Sequence, residues 1–445
     1  MFLKKLMPVL LVLATAGGLW ATALGDLAAQ MTAGNWRELS TTNLGPTVSS
    51  NAGGATGSIF PYAQNGVWNP GDLSYYYLGS DHQHDQGYPK FIRYAASSGA
   101  WSEMTRPSWF PSLTATAMHA YDHNTIDPKN GVFYFARFCC PTSFYKYTIS
   151  TSTWAQLPAC GSLAYAYQNC GGFEYFPELN GVVFVSGAGG GEAYLYNIGT
   201  NSWSKIGTGL TMGDYHNFAE YNPVHHVMVL GGGNSSSALY KLDTLKKFTK
   251  LGNAPAEVGA LRVNWNLFTV DPVSGDYLVF GGDGGSGVFY KYNVLTDTWT
   301  KINQTVPFLS TTANPNGGAV FLTIGAPVSS YGVNMFVKDD GGAGKVYVYK
   351  HSAGTAAEAP SPVKAGSPRI SVSPNPFKSG AVIRVQGKLP AGATFRVYSA
   401  DGRIVHAGKA ADGVRCDGRR LAAGVYVFSL DLGVKTCQTR ALLMR

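Results

Sequence analysis

Charge is scarce in this chain: only 13% of its 445 residues are Asp, Glu, Lys or Arg. Beyond residue 25 no apolar run approaches the roughly 18 residues that a membrane-spanning helix needs, so the sequence offers no transmembrane anchor. Its six cysteines include no Cys-x-x-Cys pair, which removes the usual framework of a structural zinc site. Nothing in it matches a nucleic-acid-binding motif. The low charge does not signal disorder, because 45% of the residues are hydrophobic and 55 glycines and 26 tyrosines accompany them. That is the composition of a turn-rich, all-β globular protein with a large core.

What the chain does have is a repeat. Tyr94 and Trp101, Tyr147 and Trp154, Tyr196 and Trp203, and Tyr292 and Trp299 are each seven residues apart, and a degenerate copy runs from Leu242 to Phe248. The second aromatics recur at intervals of 53, 49, 45 and 51 residues. That spacing suits units that each form one small antiparallel sheet and bury its faces by stacking on neighbours. The residues between the paired aromatics are rich in Asp, Thr and Asn, which is hairpin chemistry. Upstream apolar runs end in glycines, as at 231–233 and 281–282, and one further run before them makes four strands per unit. These features resemble kelch-type repeats, as in the central domain of galactose oxidase-like proteins. The resemblance covers about residues 36–351 and implies a β-propeller.

The ends of the repeat region set the blade number. Residues 345–350 form a Tyr strand with no Trp after it, and residues 35–39 a Trp strand with no Tyr before it. Each completes the other. The expectation is an all-β fold with a six-bladed kelch-like propeller over residues 30–351, closed by the N-terminal strand. The alternative is a loose Trp36 segment with a seventh blade hidden between Trp36 and Trp101.

Residues 1–23 read as a secretory signal: Lys4 and Lys5, an apolar stretch, then Ala21 and Ala23 placed as a cleavage site. The mature protein is therefore expected outside the cytoplasm, secreted or at the cell surface. Six cysteines suit an oxidising compartment. Cys139, Cys140, Cys160 and Cys170 belong to connections on one face, so a Cys160–Cys170 bridge or cross-links from the Cys139/Cys140 pair are open; Cys416 and Cys437 form a separate candidate pair.

Residues 352–368 are rich in Ala, Pro and Ser and read as an extended linker. Residues 369–445 return to short alternating strands, expected to form a small Ig-like β-sandwich. Ser373-Pro374-Asn375-Pro376-Phe377, Val397-Tyr398 with Asp401-Gly402-Arg403, Gly424 with Tyr426, and Thr439-Arg440 resemble the C-terminal sorting domain of type IX secretion substrates and related FlgD-type modules. That resemblance implies contact with outer-membrane export and anchoring machinery, followed by surface attachment or release. This tail holds 13 Lys and Arg against four Asp, whereas the rest of the chain balances 21 against 22 acidic residues. The basic field is the tail's alone, and an anionic envelope partner suits it.

Aligning the units on the turn after their first strand (Asp127-Pro128, Phe176-Pro177, Asn222-Pro223, Asp271-Pro272) places Tyr121-Asp122, His216-Asn217 and Trp265-Asn266 in register. Such residues should ring the mouth of a propeller channel, where ligands bind. His82, His84, His119 and His123 fall on the same face, and Arg137 stands where a glycine is expected; His225 and His226 fall at the opposite face, as turn residues. Three uses are open. By resemblance to propeller-built polysaccharide lyases, His119, Tyr121, His123 and Arg137 would remove a proton beside a uronate carboxylate and neutralise that carboxylate. His82 and His84, both on one side of a strand, suit zinc or copper, while the glycine-rich stretches at 281–287 and 339–344 are weak calcium-loop candidates. Finally, Tyr121, Tyr215 and Trp265 could stack on the sugars of an extracellular polysaccharide or surface glycoconjugate, with Asp122, His216, Asn217 and Asn266 beside them.

Overall fold

The computed structural model describes residues 22–50, 57–81, 89–105, 119–136, 144–160, 170–282, 287–310, 317–353 and most of 369–443. The chain divides into two compact units, Met1–Ala359 and Pro360–Arg445. Among the described residues the first unit contains six four-stranded antiparallel sheets. Five are built from consecutive strands. The sixth takes its outer strand, Asn35–Glu38, from the start of the chain, with Trp36 opposite Tyr349.

The Tyr–Trp spacing has a direct structural cause. Tyr94 lies opposite Trp101, Tyr147 opposite Trp154, Tyr196 opposite Trp203 and Tyr292 opposite Trp299, each across the last hairpin of its sheet. Their ring centroids are 4.6–5.5 Å apart, a cross-strand aromatic pairing that stabilises each sheet. Two residues before each Trp, or before Phe248, the backbone is left-handed: Gly34, Gly99, Ser152, Asn201, Lys246 and Asp297 have φ between 51° and 78°. Gly34 precedes Trp36 by the same interval, so the N-terminal strand carries the repeat's own turn. Aromatics also join neighbouring sheets, as where Phe91 meets Phe133, Tyr147 and Trp154 at 5.0–5.3 Å. Burying each such side chain stabilises by about 1.5–3 kcal/mol.

The first strands, Val67–Asn69, Asn124–Asp127, Gly172–Phe176, Asn217–Asn222, Leu267–Val270 and Thr323–Val328, touch one another in sequence, and the sixth returns to the first. Repeated sheets closed in this way are consistent with a β-propeller. A short helix, α1 (Ala23–Gln30), packs Leu24 and Ala28 into the same core as Trp68 and Val328. It begins where the sequence had placed a signal cleavage.

Among the described residues Cys160 and Cys170 are both buried and are not bridged to each other. Cys160 packs instead in an apolar cluster with Tyr134 and Phe144. Cys139 and Cys140 lie outside the described residues. The second unit has a three-stranded and a four-stranded antiparallel sheet, with a core that includes Val372, Ile383, Val397, Phe428 and Leu430. Cys416 and Cys437 sit on different sheets of it, and the expected bridge is not made: Cys416 is a buried thiol, its pKa pushed up by burial.

Candidate functional site

At one end of the six first strands the backbone repeatedly enters the left-handed region at residues that are not glycine. Tyr62, Tyr121, Tyr215, His216, Asn264 and Leu322 have φ of 53°, 45°, 55°, 59°, 78° and 57°. For bulky side chains this conformation is unfavourable by about 1–2 kcal/mol each and persists only where surrounding contacts impose it. Those contacts are present. The Tyr62 amide donates to Asn264 Oδ1 at 3.0 Å, the Gln64 amide to the Tyr121 carbonyl at 3.3 Å, and the Val263 amide to the His216 carbonyl at 3.1 Å.

The result is a cluster of rings drawn from four different sheets. Tyr62 is its hub: its centroid lies 4.5 Å from His119, 6.2 Å from Tyr121, 5.6 Å from His216 in a near-parallel stack, and 6.1 Å from Trp265. His216 also meets Tyr121 at 5.5 Å, Trp265 at 5.7 Å and Tyr215 at 6.2 Å. The Arg262 guanidinium lies over Trp265, 4.0 Å from its ring centroid, a cation–π contact. His119 and Tyr121 are buried, while Tyr62, Tyr215, His216, Arg262 and Trp265 remain half-buried. His216 Nδ1 pairs with Asn234 Oδ1 at 2.8 Å. Burial lowers its pKa, Asn234 partly opposes this, and the Arg262 charge lowers it further. Its imidazole is therefore neutral near pH 7.

Beneath the rings lies a polar layer that the sequence had assigned to ligand. Asp122, Asn217 and Asn266 are buried and spent on backbone groups. Asp122 Oδ2 accepts from the amides of Phe173 at 3.2 Å and Ala219 at 2.7 Å, on two other sheets, and Oδ1 accepts from Gln64 Nε2 at 2.6 Å. Asn217 accepts from the Gly187 amide and donates to the Gly213 and Gly232 carbonyls; Asn266 accepts from the Arg262 amide. Asp122 and Asn217 thus tie one sheet to another, and Asn266 fixes its own loop. His123 is fully buried: Nδ1 donates to the Ala136 carbonyl at 2.8 Å, and its ring faces Phe173 and Phe184. Burial pushes its pKa down to about 4.

Further in, the first strands contribute carboxyl groups. Glu174 accepts from Thr125 Oγ1 at 2.9 Å, and Glu220 from the Val270 amide at 3.2 Å. Burial raises the pKa of Asp122 to about 8 and those of Glu174 and Glu220 well above the carboxylate range, the last two being raised further by neighbouring acids. Among the described residues no group of three or more His, Cys, Asp or Glu side chains is arranged to hold a metal ion. His82, His84 and Arg137 lie outside the described residues, as does part of the glycine-rich stretch at 281–287. At 339–344 both aspartates fold back on their own loop, to the Gly341 and Gly344 amides, a tight connection in place of a calcium loop.

Two residues of the cluster were missed from the sequence, Tyr62 and Arg262. Asn69-Pro70 supplies a signal for the first, since it matches the turns used for alignment. Six residues before each turn stand Ala63, Tyr121, His216 and Trp265, and Ala63 does pair with Tyr121. Tyr62 precedes that register by one residue.

No family model matches the chain, and no curated protein matches it. Solved structures similar to it include a fungal alcohol oxidase of the AA5 family in complex with copper, at 13% identity and a TM-score of 0.42, covering 87% of this chain and 98% of that one. A protein of unknown function from Bacteroides thetaiotaomicron is 13% identical with a TM-score of 0.47, covering 71% and 75%. An oligogalacturonate lyase from Vibrio parahaemolyticus is 10% identical with a TM-score of 0.38, covering 71% and 96%. The oxidase and the lyase are propeller-like β proteins, and likeness at this level is one of fold.

Proposed function

We propose that the first unit is a six-bladed kelch-like propeller whose ring cluster recognises an extracellular glycan or surface glycoconjugate, in a protein exported and held at the cell surface through a C-terminal β-sandwich. The observation that carries the recognition reading is the convergence on Tyr62 of His119, His216 and Trp265, from segments that lead into separate sheets, with Tyr62 and His216 themselves in a backbone conformation that bulky residues avoid. Half-buried Tyr and Trp faces suit the apolar faces of sugar rings, and Arg262 and Asn234 beside them suit hydroxyl or carboxylate groups. The export reading rests on the leader and on the tail's resemblance to a sorting domain; the tail's excess of cations suits an anionic envelope. Calorimetric titration of the full chain with neutral and uronate-containing oligosaccharides tests recognition. Binding that weakens at least tenfold in Trp265→Ala supports it, and no binding across the panel would leave a protein-binding adhesin as the better account.

A second reading, a polysaccharide lyase, is favoured by His216 and Arg262 specifically. A neutral half-buried imidazole is a competent general base, and a neighbouring guanidinium would neutralise a uronate carboxylate. His216 would take the proton at C5, the C4–O bond would break with its electron pair leaving on oxygen, and a C4–C5 double bond would remain. Ultraviolet absorbance from such unsaturated products separates lyase from binder, and its loss in His216→Ala would assign the base.

A further inference from the structure

Residues 22–31 carry an inference about maturation, which rests on the export reading. Thr22 caps helix α1: its Oγ1 accepts from the Gly25 amide at 2.9 Å and its carbonyl from the Asp26 amide at 2.8 Å. A cap of this kind satisfies donors that the first helical turn leaves open. Thr22 is itself only 3% exposed, with Oγ1 at 2.9 Å from the Tyr331 hydroxyl. Leu24, two residues on, is wholly buried, and the helix is tied down further by Lys350 Nζ, which donates to the Ala28 carbonyl at 3.1 Å. A cut after Ala23 would remove the cap and leave an ammonium group on Leu24. That charge would stand at the positive end of a helix dipole, on a residue buried among apolar side chains, where both effects oppose it.

The leader contains a second small-residue pair further upstream. Ala14 and Ala16 follow an eight-residue apolar stretch at 6–13, behind Lys4 and Lys5, which is the order of a secretory signal. We propose that maturation cleaves the Ala16–Gly17 bond and that the mature protein keeps Thr22 as part of the folded propeller. In the hydrolysis one water is consumed, the amide bond breaks, and a carboxylate on Ala16 and an ammonium on Gly17 result. The exporting cell supplies the signal-cleaving endopeptidase.

Intact-mass analysis of the full chain, expressed with its leader and exported from a Gram-negative host, tests this. A mature chain beginning at Gly17 is expected. One beginning at Leu24 overturns the proposal while leaving export intact, and a chain still beginning at Met1 overturns both. Ala16→Asp should block or displace the cut, whereas Ala23→Asp, at an exposed position in the first helical turn, should leave it in place. Loss of processing in Ala23→Asp alone would contradict the assignment. A chain made to begin at Leu24 should melt about 2–4 °C below one beginning at Gly17; equal melting would remove the physical basis of the choice.

Discussion

The ring cluster and the polar layer beneath it are built by consecutive residues at the entry to the same first strands, yet they do opposite things. Tyr121 and Asp122 are neighbours, as are His216 and Asn217, and Trp265 and Asn266. The first of each pair joins rings that stay partly open, while the second is sealed and bonded to backbone on its own or other sheets. A residue type that looks like a ligand contact is thus a structural clamp one position further along.

The largest effect should come from breaking the clamp. Asp122→Ala leaves the Phe173 and Ala219 amides without their buried acceptor and should cost about 2–4 kcal/mol of stability, read as a lowered midpoint in denaturant. Asp122→Asn keeps an oxygen for both donors and should cost under about 1 kcal/mol. If the two variants melt alike, the clamp is misassigned. Opening the cluster should do the reverse: Tyr62→Ala or Trp265→Ala should each weaken ligand binding by about 1–2 kcal/mol, roughly tenfold, with little change in the unfolding midpoint.

The buried acids sharpen the contrast through pH. Asp122, Glu174 and Glu220 have folded pKa values above their unfolded ones, so the folded state holds protons that the unfolded chain releases. For Asp122 this contribution to stability is full below about pH 4 and is lost as pH rises through about 8, and those of Glu174 and Glu220 are likewise lost as pH rises. Thermal melts across that range should show stability falling with pH, and Glu174→Gln should flatten the slope; an unchanged slope would show that these carboxyls are not the titrating groups. The smallest effect belongs to the rings. Because His216 is already neutral near pH 7, ligand affinity should be nearly flat from pH 7 to pH 9, and a steep dependence there would contradict its assigned state.

Much of the fold was legible because its repeat is carried by paired side chains. The seven-residue Tyr–Trp spacing is a cross-strand register, and the orphan Trp36 and Tyr349 strands do pair. The site was legible only in part. Alignment on the turns put Tyr121, His216 and Trp265 in register, each six residues before its turn, and their rings meet. It could not say that His123 faces the core, since a histidine between polar residues carries no sign of its burial. Tyr62 escaped because the first strand of its sheet is only three residues long and offers little pattern. The Cys160–Cys170 pairing failed because proximity of connections does not fix the geometry that a bridge requires.

The central claim is that Tyr62 and Trp265 form a recognition surface at the end of the strand ring. A glycan array probed with the full chain and with the Tyr62→Ala/Trp265→Ala double variant tests it most directly. The account predicts selective binding by the unaltered protein that disappears in the double variant while its melting temperature is retained. Equal binding by both proteins would contradict it.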